Sequence, residues 1–190
     1  MARVEVATRE QLLDAAARIL AQDGLAGLST RRLANELGVS TMVVYTRFGS
    51  MSELIDAVIA EGFERQADRL QQVRESKDPK ADLVALGEAY RANALEHRHL
   101  YAIMYAESED PAHRKEQAKG TFDLFSSAAA RAIDAGLISA ADPAVVAGQV
   151  WSAVHGLVSL ELAGVLEGKS AAGGSVRTML GALLDGPKAS

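Results

Sequence analysis

The sequence predicts an all-α protein, a three-helix head built on a helix-turn-helix followed by a larger helical bundle, about nine helices in total. Three observations predict it. Sustained period-2 alternation and Asn-Gly or Asp-Gly hairpin turns are both absent, so strands have no signature. Apolar residues recur instead at helical spacing along most of the 190 residues. Ser, Thr, Pro and Gly punctuate that pattern where helices would start and stop.

The first stripe is Leu12, Leu13, Ala16, Ile19 and Leu20, with Arg9, Glu10, Asp14 and Arg18 outside it and Gly24 as a left-handed C-terminal cap. A short second helix is expected after Ser29 or Thr30, ending at Gly38. A third begins after Ser40 and stops near Phe48-Gly49. The fourth opens on Ser50-Met51-Ser52-Glu53, a capping-box sequence in which hydroxyl and carboxylate satisfy each other's backbone N–H groups. Its stripe runs Leu54, Ile55, Val58, Ile59, Phe63, Gln66, Leu70 and Val73, long enough to act as a lever, until Glu75–Pro79 breaks it. Further helices are expected near 80–96, 98–106, 112–135, 142–167 and 174–185. Pro79, Pro111 and Pro143 sit at or just before starts, where a missing N–H does no harm. Gly136 and Gly168 fall at ends, and Gly173-Gly174 makes a short connector.

Composition removes several classes of function. A hydrophobic share of 48% sustains a core and excludes a disordered chain. The absence of cysteine excludes a disulfide scaffold and thiolate metal sites, and it fits a cytoplasmic protein. The opening MARVEVATREQ holds no apolar run for a signal peptide, and no stretch reaches roughly 20 uninterrupted apolar residues, so no membrane partner is expected. Net charge is −5, but residues 1–50 hold six arginines against five acids, while the rest holds 14 basic and 20 acidic side chains. A nearly neutral head on an acidic body can bind nucleic acid if its arginines converge. A DNA-bending or packaging protein would instead be basic throughout. His97 and His99 project from different helix faces, and His113 lies in the charged run Ala112–Glu116, so neither a metal nor another cofactor is expected. No Gly-rich phosphate loop follows a strand and no nucleophile–base pair stands out, which argues against an enzyme.

Residues 30–49, TRRLANELGVSTMVVYTRFG, carry the strongest functional signal. Two short helices locked at a steep angle need a small residue at their approach and a Gly in the turn, supplied by Ala34 and Gly38. Leu33, Leu37, Val39, Val44 and Phe48 have the spacing to pin the pair. The second helix leaves Ser40, Thr41 and Met42 at its N-terminal end, with Tyr45, Thr46 and Arg47 one turn on. The plain alternative is a capped helix pair inside an ordinary bundle. The preceding amphipathic helix and the long capped helix that follows favour a DNA-reading head.

Residues 9–58 resemble the N-terminal domain of the tetracycline-repressor family, through Ser29-Thr30, Ala34, Gly38 and the Tyr45-Thr46-Arg47-Phe48 ending of the recognition helix. The resemblance implies a ligand-responsive regulator, generally a repressor, with residues 1–49 as DNA-binding domain and 50–190 as regulatory domain for effector binding and dimerisation. Its partners would be double-stranded operator DNA, a small-molecule effector and a second copy of the chain. Thr30, Arg31 and Tyr45, with Arg3 and Arg9, become candidates for phosphates. Ser40, Thr41, Met42 and Thr46 become candidates for base edges. Arg47 can read guanine or hold a phosphate, and the phosphate role is preferred. Two positions depart from the family pattern: Arg47 stands where many members have His, and Met51 where many have a phosphate-binding Lys.

In the body, residues 147–166 are apolar and rich in Ala and Gly, with Gly148, Gly156 and Gly164 eight residues apart. The family pattern implies a four-helix dimer bundle from the last two long helices. Its candidate contacts are Val150, Val154, Leu157, Val158, Leu162, Met179, Leu180 and Leu183, unless these pack only within one chain. Trp151-Ser152-Ala153-Val154-His155-Gly156 resembles the Trp…His-Gly signature of one regulatory-domain subgroup. Candidate effector contacts are Phe63, Tyr90, Tyr101, Met104, Tyr105, Phe122, Phe125, Trp151 and His155. At helical spacing the same residues also suit an ordinary core.

Overall fold

The computed structural model describes residues 7–106, 110–139, 142–166 and 174–185. Among the described residues all regular structure is helical: α1 (Arg9–Gly27), α2 (Thr30–Leu37), α3 (Thr41–Phe48), α4 (Met51–Gln71), α5 (Pro79–Glu96), α6 (Arg98–Met104), α7 (Pro111–Asp134), α8 (Pro143–Leu162) and α9 (Gly174–Asp185). The expected boundaries hold to about two residues, with the ends of α1 and α8 as the exceptions. At the end of α8 Gly164 N–H donates to the Glu161 carbonyl and Val165 N–H to the Leu160 carbonyl, both at 3.0 Å. This crossed pair satisfies the last carbonyls and stops the helix. Gly164 is thus a terminator and no part of a contact stripe, while Gly168 and Gly173 lie outside the described residues.

Two further corrections concern caps. The full capping box belongs to α1: Gln11 N–H donates to Thr8 Oγ1 at 3.2 Å and Thr8 N–H to Gln11 Oε1 at 2.8 Å. At α4 only half of it forms. Glu53 N–H donates to Ser50 Oγ at 3.2 Å, but Ser50 N–H goes to the Phe48 carbonyl at 2.8 Å. Gly24 does not end α1; at φ 67°, ψ −169° it kinks the helix, which resumes to Gly27.

The chain divides into two compact units. One joins Met1–Phe63 to His97–Pro111, the other Glu64–Glu96 to Ala112–Ser190, so α4 contributes to both. In the first unit α6 packs on α1. Its core holds Leu12, Leu13, Ile19, Leu33, Leu54 and Val58, and α6 adds Leu100. Each such side chain stabilises the unit by about 1.5–3 kcal/mol relative to exposure.

In the second unit α5 lies against α8 and α9. Gly87 permits the approach, since a Cβ there would fall 2.6 Å from Leu180 Cδ1 and 3.1 Å from both Val154 Cγ2 and Val176 Cγ1. Ion pairs tie the same helices: Arg91 to Glu161, and Arg177 to Glu88 at 2.9 Å. By length and composition α8 is apolar enough to cross a membrane. Gln149, Ser152, His155, Ser159 and Glu161 interrupt it, however, and its Val150, Val154 and Val158 are sealed within the unit.

Candidate nucleic-acid interface

The helix pair α2–α3 is held by its ends and its inner face. Arg32 N–H donates to Ser29 Oγ at 3.2 Å, which caps α2. Gly38 ends it at φ 65°, ψ 28°, a left-handed conformation that costs a side-chain-bearing residue about 1 kcal/mol or more. Val39 N–H closes the turn on the Ala34 carbonyl at 2.9 Å. Leu33, Ala34, Val44 and Phe48 are buried, with Leu37, Val39 and Val43 packed against them. All the spacing-derived pins are therefore in place, and Val43 joins them.

Burying Val44 and Phe48 turns the opposite face of α3 outward. Ser40, Thr41, Met42, Tyr45, Thr46 and Arg47 are all exposed, Met42 at 68% and Tyr45 at 51%. Large apolar surface left so open on a short helix is costly unless something covers it. Ser40, Met42, Val43, Thr46 and Arg47 line an open hollow of about 380 Å³. Arg31 is also exposed, whereas Thr30 is half-buried and its hydroxyl donates to Met51 Sδ at 3.3 Å.

Three other arginines of the first unit, Arg9, Arg18 and Arg32, are braces. Arg9 pairs with Glu61 at 3.2 Å and lies 5.8 Å from the Phe48 ring centroid, a cation–π contact that fastens α1 and α4 to the end of α3. Arg18 Nε donates to Glu36 at 3.1 Å, joining α1 to α2. Arg32 pairs with Asp23 and reaches the Gly27 carbonyl at 3.2 Å. Arg18 and Arg32 thus have structural partners. Arg3 lies outside the described residues.

Residues 12–58 match the family model described as bacterial regulatory proteins, tetR family. Residues 83–183, more than half of the chain, match a tetracyclin repressor-like C-terminal domain. The chain belongs to the tetracycline-repressor family. Among curated relatives it is 37% identical to the class D tetracycline repressor protein of Escherichia coli over 60 residues, 32% of this chain and 28% of that protein. It is 29% identical to the HTH-type transcriptional repressor KstR2 of Mycolicibacterium smegmatis, over 51% of this chain and 47% of that one. These matches span less than half of either relative. A solved structure of a protein with unknown function from Rhodococcus sp. RHA1 is similar throughout, with TM-score 0.76, 28% identity, and coverage of 95% of this chain and 97% of that chain.

For a member of this family, the effector candidates fall into two groups. In the first unit Phe63 and Tyr105 meet edge to face at 5.6 Å, and Tyr101 and Tyr105 lie 5.1 Å apart. Met104 packs there on Gly62. In the second unit Tyr90 and Phe125 are 6.4 Å apart, and Phe122 and Trp151 6.1 Å. Tyr90 Oη lies 3.2 Å from His155 Nδ1, and Ser159 Oγ 3.5 Å from His155 Nε2. Burial pushes the His155 imidazole below its ordinary pKa, which keeps it neutral at neutral pH. Phe63, Tyr90, Tyr101, Met104 and Phe125 are fully buried core; Tyr105, Phe122, Trp151 and His155 are half-buried.

A cavity of about 190 Å³ in the second unit is lined by none of the nine. It lies between the end of α4, Asp82 and Leu86 of α5, and Leu124 to Arg131 of α7. Burial alone would raise the Asp82 pKa. Hydrogen bonds from Ser76 and the Arg131 guanidinium 2.9 Å away outweigh it and hold the carboxyl below its usual range. Sequence reasoning missed this network, because neither residue breaks the pattern of its helix.

Of the eight dimer candidates, Val150, Val154, Val158 and Leu180 have no exposed surface even in the single chain. They pack inward within the single chain. Leu157, Leu162 and Met179 are half-buried and Leu183 is exposed.

Proposed function

We propose that this chain is a ligand-responsive repressor that binds a two-fold symmetric operator as a cytoplasmic homodimer and catalyses no reaction. The observation that carries the reading is the split character of α3: Val44 and Phe48 anchor it while Met42, Tyr45, Thr46 and Arg47 stand free of the core. That face suits major-groove edges, with Met42 and the Thr methyls against thymine methyls and Arg31, Tyr45 and Arg47 on phosphates. The proposed DNA-binding domain is residues 1–49 and the regulatory domain 50–190.

The dimer proposal rests on α8 and α9. Val145, Leu160 and Leu183 are exposed. Among the described residues a Cβ on Gly148, Gly156 or Gly181 would meet nothing within 4 Å. Val145, Gly148, Ser152, Gly156 and Leu160 form one helical stripe, so an apolar, low-relief face is available for a second copy. Leu157, Leu162 and Met179 would flank it.

Effector binding would shift a population between states of different operator affinity, through its unequal affinity for those states. Identical operator affinity with and without a bound effector would rule this out. The test of DNA reading is selection of bound duplexes from random DNA by the purified, ligand-free protein. A palindromic motif with half-sites about one turn, roughly 34 Å, apart is expected. No motif at low salt, where phosphate contacts are strongest, would overturn the reading.

A further inference from the structure

Buried polar groups in native proteins nearly always find a partner, and one that does not carries the full cost of its lost water. The second unit breaks this rule most plainly where α4, α7 and α8 carry Gln66, Thr121 and Trp151. Gln66 on α4 is fully buried, and among the described residues neither end of its amide has a hydrogen-bond partner. Exchanging the amide's O and N repairs nothing, since both atoms are orphaned. Thr121 on α7 is also fully buried with an unpartnered hydroxyl. Gln117 Oε1, one turn earlier on α7, and Trp151 Nε1 on α8 are buried atoms in the same condition.

Packing brings these helices together. A Cβ on Gly120 would lie 3.4 Å from Ala67 Cβ, so α7 meets α4 one residue away from both Thr121 and Gln66. On the other side of Thr121, Phe122 meets the Trp151 ring. One turn further along α7, Phe125 faces Tyr90, whose hydroxyl contacts His155. The buried polar groups carried by these helix segments are therefore amides, a hydroxyl, an indole N–H and the Arg65 guanidinium, with aromatic rings beside them. On α5 Arg91 is paired with Glu161, burial keeps His155 uncharged, and the guanidinium of Arg65 stands next to Gln66 on α4.

We propose that the orphaned amide of Gln66, with Thr121 and Trp151 Nε1, forms the recognition point for an uncharged effector group that both donates and accepts hydrogen bonds, such as a carboxamide, lactam or hydroxy-ketone. This rests on the effector reading above and specifies its chemistry. A carboxylate or phosphate fits less well, because it offers no donor to Gln66 Oε1 and Gln117 Oε1, which would stay unpaired and repel it. An apolar effector would leave the same atoms unpaired. The aromatic rings beside them suit a flat or apolar body attached to the polar group.

The test is thermal melting of the full chain and of its Gln66→Met and Thr121→Val variants. Each is measured alone and with benzamide, benzoate, octanamide or octanoate at matched concentration. Because each substitution removes an unpaired polar group at nearly constant volume, both variants are expected to melt above wild type, by roughly 2–4 °C. The amides are expected to raise the wild-type Tm more than the carboxylates of the same skeleton, and Gln66→Met to lose that difference. Variants that melt below wild type would show these groups to be satisfied in the ligand-free protein, for instance through bound water, and would overturn the proposal. Carboxylates that outperform amides, or amides that produce no shift, would overturn it equally. Release of the selected operator by a carboxylate would sink the neutral-group proposal while leaving the effector reading intact.

Discussion

At the scale of single residues, the proposed DNA-facing surface is defined by what its neighbours have already taken. Arg9, Arg18 and Arg32 spend their charge on Glu61, Glu36 and Asp23, which leaves Arg31 and Arg47 as the outward cations of α2 and α3. Met51 takes the Thr30 hydroxyl at the start of α4, where a cation would meet a phosphate. Replacing Met51 with Lys should release Thr30, tighten operator binding, and steepen the dependence of log K on log salt by about one. Fluorescence anisotropy across a salt series measures it, and an unchanged slope would place α4 away from the backbone. His155 makes a prediction about acid. Its folded pKa lies below the ordinary value of 6.5, so below that pH the unfolded chain takes up a proton that the folded chain refuses. Stability should fall as pH drops from 6.5 towards the folded pKa, and this loss should shrink in His155→Asn. Melting curves at pH 7.5 and 5.5 for both proteins decide it.

At the scale of helices, the sequence was most legible where one residue performs one steric job. Gly38, Ala34, Ser29 and the α3 anchors follow from the demands of a tight turn, and each is where its spacing places it. Signals with two physical meanings were less legible. A Gly in an apolar helix can mark close packing or a stop, and Gly164 is a stop. Val150, Val154 and Val158 lie on a strongly apolar stripe, which says that they are buried but not against which chain. Gln66 was visible as the one polar member of the α4 stripe, yet only its missing partners turn that irregularity into a site. Gly87 carried no signal in its own helix, because the crowding comes from Val154, Val176 and Leu180, distant in sequence. Gly87→Ala should therefore destabilise despite the better helix propensity of Ala. Overpacking of about 1–3 kcal/mol exceeds a propensity gain of at most about 1 kcal/mol, so Tm should drop by several degrees. A Tm equal to or above wild type would mean that α5, α8 and α9 separate easily.

At the scale of the whole molecule, the outward face of α8 and α9 is the proposed dimer surface. Charging it with Leu160→Glu and Leu183→Glu should convert dimer to monomer in analytical ultracentrifugation and cut operator affinity sharply, because each head then binds a half-site alone. The core residues Val150 and Val154 are untouched by these changes, so circular dichroism should be unchanged. A dimer that survives both charges would assign the interface elsewhere. The chain also leaves the first unit after Phe63 and returns to it at His97, where α6 sets Leu100 into the core of α1 and lays Ile103 against it. That detour bears on how such a protein can be inherited or engineered in parts. A crossover that exchanges only the N-terminal helices would graft them onto an α6 fitted to another sequence, leaving Leu12 and Ile19 to pack against the wrong side chains. The transferable module is discontinuous, and a chimera that keeps its new operator preference must carry both segments from the same parent.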